Sequence, residues 1–135
     1  MVNINYLIVT YIVSLFVDWI FQTEWQAINK SKWNKNDNKK ISLIALSSHS
    51  MIYASITSLI VFIILRLNHV QYIITIITLF ISHFIIDSRI PVKWIMRRKG
   101  MTYEQINDTV NYGFMHIGID HRLHEVVIFI LALFI

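Results

Sequence analysis

Long apolar runs alternate with short polar stretches along the chain. Residues 2–17, 41–65 and 67–86 contain no charged side chain. A fourth run, from about 112 to 135, holds three charged residues and then ends in VVIFILALFI. A helix of about 20 apolar residues is long enough to cross a bilayer. In hydrocarbon, a single segment can form all of its backbone hydrogen bonds only as a helix. The pattern predicts four membrane-spanning helices, at about 4–26, 41–66, 68–88 and 112–135.

We therefore expect an all-α fold, a four-helix transmembrane bundle that forms a single integral membrane domain over residues 1–135. Between the third and fourth spans, the segment PVKWIMRRKG offers Pro91 to start a helical turn and Gly100 to end it. Because its bases are mixed with aromatic and apolar residues, we expect a short interfacial helix there, along the inner membrane face. The spacing Thr102-x-x-Gln105 resembles a capping box that starts another short helix.

Composition and charge agree with a membrane protein. Hydrophobic residues make up 56% of the 135 residues and charged residues 15%, against about 45–50% and 25% in soluble domains. The absence of Cys excludes disulfides and thiolate metal sites. The net charge of +4 does not indicate nucleic-acid binding, because ten of the twelve Lys and Arg residues lie in 30–40 and 89–99, beside apolar runs. The positive-inside rule produces that distribution without a nucleic acid.

The two basic segments also set the orientation. The first and third loops of a four-span chain lie on one side, which the basic residues assign to the cytoplasm. We expect a protein of the bacterial inner or plasma membrane with both termini outside the cytoplasm and the lipid bilayer as its partner. The sequence leaves the oligomeric state open.

Polar and ionisable side chains recur inside the predicted spans, where each is costly unless it is paired, protonated or metal-bound. A single His or an i,i+4 His/Asp pair is usually a packing residue or an ion pair. Here, however, a rise of about 1.5 Å per residue places all of them in the cytoplasmic half of one bundle, which favours a site. They are Asp18 and Gln22 on the first span, His49 on the second, His83 and Asp87 on the third, and Asp120 and His124 on the fourth. His69 is expected to be exposed in the outer turn, and His116 is left open.

Imidazole and carboxylate without thiolate suit Zn²⁺, Mn²⁺ or Fe²⁺. The sequence therefore predicts a site for one or two divalent ions, with zinc favoured. Three His and three Asp exceed the three protein ligands of a mononuclear catalytic zinc. An Asp that bridges a second ion and residues that orient the His rings are both open explanations. The expected ligands are Asp18, His49, His83, Asp87, Asp120 and His124.

Four segments resemble a family of small membrane proteins from bacteria and phages, domain of unknown function 3307. They are VDWIFQT at 17–23, SHS at 48–50, SHFIID at 82–87 and IDHRLHEV at 119–126. The family pattern is D-F-x-L-Q-T, then His, then H-x-x-I-D, then D-Q-x-L-H, and the resemblance follows the whole chain in order. It implies the seven polar positions named above as site residues, with His121 standing where the pattern has Gln. The chain is more distantly similar to inner-membrane proteins classed as metal-dependent hydrolases.

Our first hypothesis is a membrane-embedded, metal-dependent hydrolase that opens to the cytoplasmic side. The metal would activate a water molecule, whose pKa falls from about 15.7 to about 7 in zinc sites. Asp120 or His121 would act as general base, and Gln22 would orient a ligand or a substrate oxygen. Arg89, Lys93 and Arg122 lie at the rim, where cations suit a phosphate group. Anchoring to lipid head groups is the alternative, and it applies more to Lys93 than to Arg122. A phosphoester or lipid-linked substrate is preferred, and an amide or ester stays open.

Two other functions stay open as well. The chain could be a non-enzymatic phage or bacterial membrane interaction protein, in which the His/Asp residues, with or without metal, only hold the bundle together. It could also be a proton or metal-ion conduit, because Asp and His chains relay protons. A conduit needs polar residues through the outer half, and residues 56–65 and 126–135 supply almost none.

Overall fold

The computed structural model describes residues 2–30 and 39–135, and every regular element in these residues is an α-helix. The helices are α1 (Ile4–Ile20), α2 (Glu24–Asn29), α3 (Lys39–Leu65), α4 (His69–Asp87), α5 (Ile90–Arg98), α6 (Tyr103–Asn107) and α7 (Gly113–Phe134). The all-α class is confirmed for this part of the chain. Most of the first basic segment, including Lys32 and Lys35, lies outside the described residues.

The four long helices α1, α3, α4 and α7 surround one core. Helix α3 contacts α1 and α4, and α7 contacts the same two helices. Their buried positions recur every three or four residues, because that spacing keeps side chains on one face of a helix. The core residues are Tyr6, Val17, Tyr53, Ala54, Val61, Leu79, Ile128, Leu131 and Ala132. Side chains from distant parts of the sequence therefore meet between these helices.

Two of the described helices, α3 and α4, are long and apolar enough to cross a membrane, judged by length and composition. Helix α1 is apolar but has only 17 residues, and α7 carries Asp120, Arg122 and Glu125 within its 22 residues. By this measure two helices, and not the expected four, qualify as spans. Large apolar side chains also point outward, as on α1, where Trp19 is 87% exposed. Exposed apolar surface of this kind marks interaction with membranes or other proteins.

The first predicted span, 4–26, is divided into two helices. Helix α1 ends at Ile20, and Thr23 starts α2 with a capping box. The Thr23 hydroxyl accepts a hydrogen bond from the Gln26 backbone N–H (3.2 Å), and the Gln26 side chain accepts one from the Thr23 N–H (3.0 Å). Since a capping box satisfies the donors of a new helix start, the chain turns there. Gln22 consequently lies in the link between α1 and α2 and not on the helix that carries Asp18.

Helices α5 and α6 pack on the first half of α7. Pro91 lies in the first turn of α5, and Gly100 follows the helix with φ +83°, a left-handed conformation that favours glycine. The predicted capping box at Thr102 and Gln105 is confirmed as the start of α6. A small apolar cluster joins these helices to α7 and contains Val92, Met96 and Ile106, with Ile119 and Leu123 packed against it.

Asp108 organises the turn between α6 and α7. Its Oδ1 accepts hydrogen bonds from the backbone N–H groups of Val110 (3.1 Å) and Asn111 (3.0 Å), and its Oδ2 accepts one from Asn111 Nδ2 (2.6 Å). Because these bonds favour the ionised form, Asn111 holds the pKa of Asp108 below its ordinary value. The ionised carboxylate thus fixes the turn that leads into α7.

Candidate metal centre

Five ionisable side chains meet in the interior between α1, α3, α4 and α7. Each long helix contributes at least one of them, and three of the five are almost fully buried. We call this group the His/Asp cluster; its members are Asp18 from α1, His49 from α3, His83 and Asp87 from α4, and His124 from α7. The structure therefore brings together five of the six residues that the sequence predicted as metal ligands.

Helical periodicity places these side chains. His83 and Asp87 lie one turn apart on α4, and both point into the core. His49 lies on the buried face of α3, four residues before Tyr53. The Tyr53 ring stacks on the His83 ring, with the centroids 3.8 Å apart and an interplanar angle of 20°. This stacking fixes the orientation of His83, so that its Nε2 faces the other cluster members.

The ligand atoms of the His/Asp cluster are close together. The Nε2 atoms of His49 and His83 are 3.0 Å apart. Asp18 Oδ1 lies 3.0 Å from His49 Nε2 and 3.7 Å from His83 Nε2, and Asp87 Oδ2 lies 3.4 Å from each. His124 Nε2 lies 3.4 Å from Asp87 Oδ1. Two groups of three result, Asp18/His49/His83 and His83/Asp87/His124, and within each group the ligand atoms are within 4.8 Å of one another.

These distances fit a metal ion. Zinc bonds of about 2.0–2.2 Å place two ligand atoms on one ion about 2.9–3.6 Å apart, for bond angles between octahedral and tetrahedral. The separations from His49 Nε2 to His83, Asp18 and Asp87 all fall in that range. Nε2 is the ring nitrogen of His49 and His83 that lies near the other ligand atoms, and the Nδ1 atoms are buried with no hydrogen-bond partner among the described residues. The His/Asp cluster can hold a divalent cation.

Lys30 is a member of the site that the sequence did not indicate. Lys30 is only 8% exposed, and its Nζ forms an ion pair with Asp87 Oδ2 at 2.5 Å. Helix α2 carries Lys30 inward, because Gln26 Nε2 donates to Ser48 Oγ (3.0 Å) and Ser42 Oγ donates to the Lys30 carbonyl (3.3 Å). In the sequence, Lys30 is one of the basic residues of the segment 30–40, which was assigned to the first loop. The capping box at Thr23 was the one signal that could have indicated a separate helix here.

Asp120 lies outside both ligand groups. Its Oδ1 is 3.6 Å from Arg89 Nη1, and the carboxylate is largely buried. Arg89 caps α5 with φ 64°, a left-handed conformation that is uncommon for a residue with a side chain. Its Nη1 also donates to the His116 carbonyl at 3.4 Å. Asp120, which was expected to bind a metal, therefore pairs with Arg89, which was expected to bind a phosphate.

The remaining predicted residues are spread around the site. His116 is buried, and its Nε2 is 2.9 Å from the Ile106 carbonyl, so it joins α7 to α6 and not to the His/Asp cluster. His121 and Arg122 are exposed on α7, and Arg122 pairs with Glu125. His69 is exposed at the start of α4, as expected. Gln22 lies half-buried between α1 and α2.

A narrow cleft of about 20 Å³ between α1 and α7 leads to the cluster. Asp18 and His124 line it together with the exposed His121. Glu125 also lines the cleft, where its Oε1 accepts a hydrogen bond from the Tyr11 hydroxyl at 3.3 Å. The cleft thus joins the outer surface of the molecule to two members of the His/Asp cluster.

A protein-family model matches nearly the whole chain. The family model described as "Protein of unknown function (DUF3307)" matches residues 5–135, which confirms the resemblance found in the sequence. No curated protein and no solved structure shows significant similarity to the chain. The family covers the whole site, from Asp18 to His124, and carries no assigned chemistry.

Proposed function

The chain belongs to the DUF3307 family, and we propose that it is a membrane-embedded, metal-dependent hydrolase that acts on a phosphoester or lipid-linked substrate from the cytoplasmic side. One observation carries the proposal: the Nε2 atoms of His49 and His83 converge with carboxylate oxygens of Asp18 and Asp87 at 3.0–3.7 Å. Buried ionisable groups on apolar helices are costly. A bound divalent cation would offset that cost, because it neutralises the carboxylates and coordinates the imidazoles.

In this proposal α1, α3, α4 and α7 all cross the membrane. The outward apolar side chains of these helices support it, including Phe16 and Ile63, which are 63% and 64% exposed. Helix α5 lies along the cytoplasmic interface, because Trp94 is exposed beside the bases Arg97 and Arg98. The basic segments then face the cytoplasm, and both termini lie on the other side.

The proposed metal ligands are the members of the His/Asp cluster, which offer imidazole and carboxylate atoms. That donor set favours Zn²⁺, with Mn²⁺ and Fe²⁺ as alternatives. The two ligand groups share His83, so the cluster accommodates one ion or two. Such an ion supplies Lewis acidity and lowers the pKa of water to near neutrality. Tyr53 keeps His83 oriented by stacking.

The cleft supports His121 as the general base. It lines the same cleft as Asp18 and His124, so it lies beside the expected path of a substrate. Asp120 faces Arg89 and acts in the proposal as a positioning residue for that arginine. Gln22 lies in the link between α1 and α2, four residues after Asp18. In the proposal it orients a substrate oxygen.

The position of the cleft supports a lipid-linked substrate. Its mouth lies between the outward faces of α1 and α7, where Tyr11, Leu15 and His121 are exposed. In a bilayer this mouth would face the lipid of the cytoplasmic leaflet, so an amphiphile would approach it sideways with its polar group directed at the cluster. Arg122 lies beside the mouth, and 79% of its side chain is exposed. It is therefore the better candidate than Arg89 for holding a phosphate group.

The test begins with metal content. We expect the detergent-purified chain to contain a stoichiometric transition metal, and we expect a panel of phosphomonoester and phosphodiester lipids to include a substrate when Zn²⁺ or Mn²⁺ is added. His83→Ala should lose both metal and hydrolysis, whereas the matched variant His69→Ala should keep both. A well-folded wild type that takes up no metal at saturating Zn²⁺ and Mn²⁺ would disprove the proposal.

A second candidate function is a non-enzymatic membrane interaction protein. The ion pairs Lys30–Asp87 and Arg89–Asp120 favour it, because they neutralise two buried carboxylates without any metal. In that case the His/Asp cluster would serve only to hold the helices in place. Metal content separates the two functions, since the second requires none.

A further inference from the structure

Lys30 and the proposed metal would need the same carboxylate oxygen. Lys30 Nζ contacts Asp87 Oδ2, and that oxygen is also 3.4 Å from the Nε2 atoms of both His49 and His83. An ion bound by the two imidazoles would therefore approach Asp87 Oδ2 as well. The Lys30 ammonium group already holds that oxygen.

The charges in the cluster disfavour binding of a divalent cation and the Lys30 ammonium group to Asp87 at the same time. With neutral imidazoles, Asp18, Asp87 and Lys30 give the cluster one net negative charge. Adding a divalent cation without removing Lys30 leaves a net positive charge in an interior where charges interact strongly. Removal of the ammonium group leaves two carboxylates, which balance the divalent cation. Electrostatics thus favours one cation at Asp87 at a time.

The connection of Lys30 to the protein allows it to leave. A lysine side chain has four flexible methylene groups and a compact charge that water solvates strongly. Lys30 follows the last residue of α2, a helix of six residues. The backbone is held separately, through the hydrogen bond from Ser42 Oγ to the Lys30 carbonyl. The side chain can therefore swing outward while α2 stays in place.

We propose that Lys30 is a built-in counter-ion that a divalent metal displaces from Asp87, and that it sets the metal affinity of the His/Asp cluster. This inference rests on the proposed metal site. In the metal-free protein Lys30 neutralises a buried carboxylate and keeps the helices together. In the loaded protein its side chain is turned toward solvent. Ions that bind the cluster too weakly to displace the ammonium group are excluded.

Calorimetric titration of the full-length chain in detergent with Zn²⁺ tests the competition. We expect Lys30→Met to bind Zn²⁺ about tenfold or more tightly than the wild type. The same variant should have a lower Tm in EDTA and a larger rise in Tm on adding Zn²⁺. Lys40→Met is the matched control, because it removes an exposed lysine charge from the start of α3, and its affinity should equal that of the wild type.

Lysine acetylation of the wild type gives a readout that needs no variant. Without metal, Lys30 should resist an N-hydroxysuccinimide acetate reagent while the exposed Lys40 reacts. With saturating Zn²⁺, Lys30 should react at a rate that approaches that of Lys40. Mass spectrometry of the digested chain measures both sites. Equal protection of Lys30 with and without bound Zn²⁺ would overturn the displacement, even if Lys30→Met failed to fold.

The outcomes separate this inference from the proposed function. If Zn²⁺ binds to Lys30→Met and the wild type with equal affinity, Lys30 does not compete and only this inference fails. If neither protein binds Zn²⁺ or Mn²⁺, the metal site fails and the inference falls with it. Binding by Lys30→Met alone would support the inference in its strongest form, with Lys30 as the residue that blocks the site.

Discussion

His49 and His83 face each other through their Nε2 atoms, 3.0 Å apart, although 34 residues separate them in the sequence. Two imidazole nitrogens at this distance cannot both donate a hydrogen bond to each other. One of them must accept, or both must direct lone pairs at a shared cation. The nearby carboxylates of Asp18 and Asp87 suit the second arrangement, because carboxylates can neutralise a cation and also bind it.

His83→Ala should abolish stoichiometric metal binding, because His83 belongs to both ligand groups. At a free metal concentration of about 100 times Kd, bound metal stabilises a protein by about 2.7 kcal/mol. We therefore expect wild-type Tm to rise on adding Zn²⁺ and the Tm of His83→Ala to stay constant. Differential scanning fluorimetry in detergent, with and without EDTA, measures both. His69→Ala should respond to Zn²⁺ as the wild type does, and a Zn²⁺-dependent rise in His83→Ala would contradict the ligand assignment.

Lys30→Met should destabilise the metal-free protein by about 3–5 kcal/mol, because it leaves the buried Asp87 carboxylate, which is fixed on α4, without its partner. The double variant Lys30→Met/Asp87→Asn should recover most of that loss, since it removes both charges. Thermal unfolding in EDTA of the wild type, the two single variants and the double variant completes the double-mutant cycle. Additive effects of the two substitutions would show that the ion pair contributes nothing to stability.

Much of the fold could be predicted from the sequence, because helical structure in apolar runs depends on local pattern. Helices α3, α4 and α7 lie in three of the four long runs, and Pro91 and Gly100 bound α5 closely. The division of the first run was missed, since apolar character continues through the link that precedes Thr23. The capping box overrides that continuity by starting a new helix.

The cluster itself was predictable because its members lie at similar levels along the four long helices and recur at helical spacing. Lys30 was not, since its burial depends on how α2 docks on α3 through Gln26 and Ser48. Asp120 is the opposite case, because the sequence assigned it to the cluster and the structure places it outside both ligand groups. Its spacing from His124 matched a ligand position, but the structure places the Arg89 guanidinium 3.6 Å from its carboxylate. Pairings between distant segments depend on tertiary contacts that spacing alone does not specify.

Membrane orientation can be tested with single cysteines, because the natural chain has none. Arg66 and Lys99 are both exposed and lie at opposite ends of the long helices. In bacterial cells, a membrane-impermeant maleimide should label Arg66→Cys from outside and Lys99→Cys only after lysis. A reporter fused after Ile135 should also be extracytoplasmic. The reverse labelling pattern would place the basic segments outside and overturn the cytoplasmic opening of the site.

The proposed general base can be separated from positioning residues by two substitutions on α7. His121 lines the cleft but belongs to neither ligand group, so His121→Gln should retain metal binding and Tm. If His121 accepts a proton in the reaction, turnover of a phosphoester lipid should fall by about two powers of ten.

Asp120→Asn should give the opposite result. Its carboxylate faces Arg89 at 3.6 Å, so loss of the charge should lower Tm while turnover per folded molecule changes by less than about tenfold. Steady-state kinetics and thermal unfolding of both variants, beside His69→Gln as a control, make the comparison. A large loss of turnover in Asp120→Asn with His121→Gln fully active would move the base to Asp120. The cleft would then have to open toward Arg89, where a phosphate could pair with the guanidinium that Asp120 now holds.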